Sequence, residues 1–142
     1  MKRILSSGAF ALLFSLGLQA QDFKLVWEGA DIPAEAAAIV EQRTAQMLEP
    51  DGFSLSSDED AVPITVTARV SSRMESVGSM NQEALNVELS FSANGVSEVF
   101  SLRGVGADEA DAWVRAAKQF LPRSKVAQGF VTRLKESFSE KK

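Results

Sequence analysis

Two stretches alternate apolar and polar residues without a break. Ile64, Val66, Ala68 and Val70 interleave with Thr65, Thr67 and Arg69; Leu85, Val87, Leu89 and Phe91 interleave with Asn86, Glu88 and Ser90. A period of two does not suit a helix and marks a strand with one buried face. Two such strands in succession form the centre of a sheet, with Gly78 to Gln82 as the expected loop between them. The rest of the chain has to be arranged around that sheet.

Ala93-Asn94-Gly95 is a further turn, because Asn-Gly supplies the positive φ angles of a tight hairpin. It leads into a strand from Val96 to Val105, where Glu98 falls in line with Phe100 and Leu102. Near the other end, Phe23, Leu25 and Trp27 alternate with Lys24 and Glu28, and Phe53 and Leu55 suggest a short edge strand. Helical spacing joins Ala36, Ile39, Val40, Met47 and Leu48; Asp31 is the expected cap, Pro33 fits the first turn, and Pro50-Asp51-Gly52 is the stop. A second helix has carboxylates at its start (Asp108, Glu109, Asp111) and a stripe of Ala110, Trp113, Val114, Ala117 and Leu121. Pro122 breaks it, and Ser124 caps a third helix built on Ala127, Phe130, Val131, Leu134 and Phe138. The order β-α-β-β-β-β-α-α predicts an α+β two-layer sandwich. Its four- to five-stranded sheet is antiparallel or mixed, with helices on one face. The face bearing Thr65, Thr67, Arg69, Asn86, Glu88 and Ser90 meets solvent or a partner.

Residues 1–20 read as a secretory signal peptide, leaving 21–142 as a single α+β domain. Lys2 and Arg3 form the basic start, Ala9 to Leu18 is the apolar core, and cleavage is expected between Ala20 and Gln21. The apolar stretch is well short of the roughly 20 residues that span a bilayer, so no membrane insertion is expected once the signal is removed. The protein is then periplasmic or secreted. Lys2 and Arg3 are two of 15 basic residues, so the chain after Ala20 keeps 13 against 19 acidic ones, a net −6. Such a balance disfavours nucleic acid as a partner.

With no Cys or His, the sequence offers no disulfide, thiolate nucleophile, imidazole base or His-containing metal site, and no lipid-carrying cysteine. Asp58-Glu59-Asp60 opens like a calcium loop, but Pro63 stands where an EF-hand requires glycine. Gly104-Val105-Gly106 invites a dinucleotide reading, but Glu109 occupies the third glycine's place and would repel pyrophosphate. The pair reads as a strand-to-helix turn needing flexible backbone. Ser124-Lys125 lacks the S-x-x-K spacing of a serine–lysine catalytic pair. No catalytic residue, cofactor or metal ligand is therefore assigned, and the chain is read as not an enzyme.

The segment from Met74 to Met80 carries two methionines and Val77 at the expected hairpin tip. Methionine suits adaptable contact surfaces, so Met74, Val77, Met80 and the nearby Arg69 are the candidate partner-contact residues. The competing reading extends the strands and packs these apolar residues inward. Trp27 and Trp113 lie on apolar stripes and read as core.

Arg103-Gly104-Val105-Gly106-Ala107-Asp108-Glu109-Ala110-Asp111-Ala112, followed by Ala116-Ala117, resembles a known segment. It is the strand–G-x-G–helix stretch of bacterial envelope assembly domains of the FlgT, LpoB and TolB N-terminal kind. That resemblance implies a small α/β domain working by protein–protein contact with envelope or flagellar proteins, and it carries over no catalytic residue. Several relatives are lipoproteins, whereas this sequence has no anchoring cysteine. The expected function is a non-catalytic periplasmic protein mediating contacts in envelope or flagellar assembly or maintenance. The alternatives are a periplasmic small-molecule or ion binder, with its pocket between sheet and helices, and a carboxylate-dependent hydrolase.

Overall fold

A computed structural model describes residues 21–29, 31–78 and 80–139. The signal-peptide reading, including Ala20, lies outside the described residues; Gln21 directly precedes the first strand. The elements are β1 (Asp22–Trp27), α1 (Ala34–Leu48), a 3-10 turn (Glu49–Asp51), β2 (Ser54–Leu55), β3 (Val62–Val77), β4 (Met80–Ala93), β5 (Val96–Gly106), α2 (Glu109–Ala117) and α3 (Lys125–Ser139). This is the predicted α+β order.

The sheet is mixed, in the order β2-β1-β3-β4-β5. β1 runs parallel to both β2 and β3, whereas β3–β4 and β4–β5 are antiparallel. The parallel pairs follow from connectivity: α1 carries the chain back along the sheet, so the next strand starts at the end where β1 started. Asn94 (φ 51) and Gly95 (φ 81) supply the positive φ angles expected of the β4–β5 turn.

One sheet face is covered by helices. Phe23, Ile64, Val66, Leu85, Val87, Leu89 and Phe91 are buried there against Val40, Met47, Trp113, Phe130 and Leu134. Phe91 is a hub, with ring centroids 5.2 Å from Phe100, 5.4 Å from Phe120 and 6.1 Å from Phe130. Aromatic pairs at these separations add to the area they bury. Both tryptophans join the core, but the indole N–H of Trp27 is buried without a hydrogen-bond partner among the described residues.

Several local expectations need correction. Pro33, not Asp31, occupies the N-cap of α1, and no side chain caps it. Of the stripe expected for α2, Ala110 and Leu121 are exposed, while Ala112, Ala116 and Phe120, which lie outside that stripe, are buried. The expected loop at Gly78 to Gln82 contracts, because β4 already begins at Met80.

The Gly104–Gly106 pair is not a flexible turn. Both glycines lie inside β5 and neither has a positive φ. Their role is space: a Cβ on Gly104 would come within 2.1 Å of the Ala112 carbonyl oxygen and 2.4 Å of the Ala116 nitrogen. A Cβ on Gly106 would meet the Ala112 nitrogen at 2.7 Å. Backbone therefore packs on backbone where α2 crosses β5. Asp108 caps α2 by accepting the Asp111 N–H at 2.8 Å, and Ser124 caps α3 by accepting the Ala127 N–H at 3.2 Å.

Candidate functional site

β3 and β4 outrun the rest of the sheet. β1 last pairs with β3 at Trp27–Val66, and β5 last pairs with β4 at Gly106–Glu83. Beyond those points β3 and β4 continue as a two-stranded arm, in unbroken register to Val77–Met80. Gly78, at φ 65, begins the connection at its tip. The segment thus extends the strands, but its methionines do not pack inward: Met74 and Met80 are 61% and 62% exposed.

The candidate contact residues do not form one patch. Met74 is opposite Glu83, on the continuation of the helix-covered face, whereas Met80 belongs to the row of the open face. The arm therefore offers a methionine on each side. Arg69 is on the open face but eight residues before Val77, roughly 26 Å along an extended strand. It lies 3.7 Å from Glu88, with 87% of its side chain exposed. Val77 pairs with Met80 at the last position of the ladder.

A cluster missed by the sequence reading sits at the root of the arm. Glu75 Oε2 accepts from Arg73 Nε at 3.2 Å, from Arg73 Nη2 at 2.9 Å and from Arg103 Nη2 at 2.9 Å. The Arg73 hydrogen bonds, reinforced by Arg103, hold the Glu75 carboxyl below the usual carboxylate range. The spacing of Arg73 and Glu75 already puts them on one strand face. Only the β3–β4–β5 register brings Arg103, 28 residues away, to the same carboxylate. Around this cluster the open face is polar, with Thr67, Asn86 and Glu88 exposed and Thr65 and Ser90 half-buried.

No Asp or Glu among the described residues is buried. Of the half-buried ones, Asp51, Glu75, Glu98 and Asp111 each contact a lysine or arginine. No group of three or more Asp or Glu among the described residues is placed to hold a metal, and Asp58, Glu59 and Asp60 are all exposed. No described helix is long and apolar enough to cross a membrane. A depression of about 600 Å³ is open to solvent between the β4–β5 turn and α3. Arg133, Glu136 and Ser137 form its helical wall.

No family model matches the chain, and no curated protein matches it. Among solved structures, it is similar to a minor lipoprotein from Acinetobacter baumannii at 17% identity and a TM-score of 0.35, covering 84% of this chain and 93% of that one. It is also similar to a hypothetical protein from Chlamydia trachomatis at 9% identity and a TM-score of 0.36, covering 84% and 97%. At these TM-scores the two similarities assign no family and carry no function to this chain.

Proposed function

We propose that this is a non-catalytic protein of the bacterial envelope, periplasmic or secreted, that contacts other proteins through the β3–β4 arm and the adjoining open sheet face. The arm carries this reading. A two-stranded ribbon in water is marginally stable by itself, and its distal part adds nothing to the core. Yet it holds Met74 and Met80 in solvent, 61% and 62% exposed, where a partner can cover them. Export rests on the basic-then-apolar pattern of residues 1–20, and envelope or flagellar proteins are the partner class implied by the resemblance around Gly104–Gly106.

The test is photo-crosslinking in cells, with a photoreactive residue at position 74 or 80. A discrete set of envelope proteins captured from both positions, with the adducts from position 74 lost when residues 76–81 are replaced by a short turn, is the expected result. A folded, exported protein with no specific adduct from either position would overturn the reading. A thermal-shift screen with metals, sugars and lipids separates it from small-molecule binding, because a native-state ligand raises the melting temperature.

A further inference from the structure

β5 is the outer strand on one side of the sheet, hydrogen-bonded only to β4. In an antiparallel strand, alternate residues direct both N–H and C=O to the partner, and the others direct theirs to the free side. Three hydrogen bonds identify the outward set. The Val99 N–H donates to Glu98 Oε2 at 3.2 Å, the Ser97 carbonyl accepts from Arg133 Nη1 at 3.1 Å, and the Ala107 N–H donates to Asp111 Oδ2 at 3.1 Å. The odd-numbered residues therefore face out. Arg133 with Glu98 closes one end of the edge, and Asp111 closes the other.

Between those closures the edge is open. The N–H and C=O groups of Ser101, Arg103 and Val105, with the Val99 carbonyl, have no partner among the described residues. Natural edges are blunted by charges and side-chain cover; here that cover is confined to the two ends. The opposite outer strand, β2, has only two residues and offers no comparable stretch.

The surroundings define what fits. Arg103 projects on the open face, where it shares the Glu75 carboxylate with Arg73 so that the cluster keeps one positive charge in excess, and Arg115 and Lys118 lie on the side of α2 that carries Asp111. No acidic residue occurs from Val99 to Val105, although the whole chain has a net charge of −4. On the helix side, Phe100, Leu102, Phe120, Leu121 and Val126 line a depression of about 350 Å³ beside the strand. A second copy paired antiparallel about the middle of the open stretch would set the two Arg103 side chains opposite each other, which is unfavourable for like charges.

We propose that this stretch of β5 binds an extended segment of a partner protein by strand addition. The segment alternates carboxylates, which meet Arg103 on the open face, with apolar side chains, which enter the depression on the helix side. Main-chain hydrogen bonds supply the attachment and alternate side chains the selectivity. This deepens the protein-contact reading and rests on it.

The probe is a capped heptapeptide of alternating valine and glutamate, compared with its valine–lysine counterpart, by amide NMR on the intact protein. The glutamate peptide is expected to shift the amides of Ser101, Arg103 and Val105 and slow their exchange, and to bind at least tenfold more tightly than the lysine peptide. Ser101→Pro removes an outward N–H while leaving the β4 ladder intact, so binding should fall at least tenfold. Ser101→Ala keeps that N–H and should retain binding, and Arg103→Glu should reverse the peptide preference. Binding of neither peptide, binding indifferent to Ser101→Pro, or a dimer in ultracentrifugation that Ser101→Pro dissociates would each overturn the proposal. If neither peptide binds the parent protein while crosslinking from positions 74 and 80 persists, only strand addition falls. Loss of crosslinks from the unmodified protein removes the wider reading.

Discussion

At the scale of single residues, the same amino acid does opposite work at two positions. Adding a Cβ at Gly104 drives it into the backbone of α2, whereas Gly129, inside α3, has nothing within 4 Å. Gly104→Ala should therefore destabilise the protein by about 3 kcal/mol, the upper end for overpacking. Gly129→Ala should stabilise it by about 0.5–1 kcal/mol through lost chain entropy. Urea denaturation of the two variants measures both. Asp111 gives a pH-dependent case. The Ala107 N–H, with help from Arg115, holds its carboxyl below the ordinary value of 3.8. A pKa lower in the folded state stabilises the protein above that ordinary value, and the contribution is lost as pH falls through the folded value. Asp111→Asn should thus be less stable than the parent near neutral pH, with the gap closing well below pH 3.8, as denaturation at both pH values would show. The glycine pair was visible in the sequence, but its reason was not. A letter G says nothing about whether the backbone needs an unusual φ or a neighbour needs room.

At the scale of elements, legibility followed the apolar period. Ile64, Val66 and the alternate residues from Leu85 to Phe91 are buried against helices, while Ala68 is half-buried and Val70 exposed, so on β3 the apolar period outlasts the burial it encodes. From Ser71 to Ser76 every β3 residue is exposed except half-buried Glu75, and a strand with no buried face has no apolar alternation to read. That is why the arm, and the meeting of Arg73, Glu75 and Arg103 at its root, needed the register. The α2 stripe was misjudged for a related reason. Weighting large side chains favours Leu121, but the helix ends at Ala117 and docks through Ala112 and Ala116, the small residues that let it reach Gly104. The arm should also differ from the sheet in local stability. Amides of residues 74–76 and 80–82 should exchange with hydrogen isotope much faster than those of 85–91, with protection factors lower by at least tenfold. Residue-resolved exchange checks this.

At the scale of the molecule, one core contains buried residues from the sheet and all three helices, with Trp113 inside it and Trp27 packed against it. In each single-tryptophan variant, unfolding followed by the remaining tryptophan and by backbone circular dichroism should therefore share one midpoint, as a two-state domain requires. Trp27→Phe and Trp113→Phe variants each leave one reporter. Trp27→Phe should be neutral or slightly stabilising, since it removes a buried N–H that has no partner among the described residues. The mixed sheet was left open by the sequence because periodicity defines the faces of a strand, not its neighbours. The distribution of methionine has a chemical consequence. Met47 is fully buried, whereas Met74 and Met80 stand in solvent on the arm. Outside the reducing cytoplasm, peroxide or hypochlorous acid would reach the thioethers of the arm first. Conversion to sulfoxide there makes the tip more polar while the interior is spared. Oxidation would then alter the arm before it unfolded the protein, and a methionine sulfoxide reductase could reverse it.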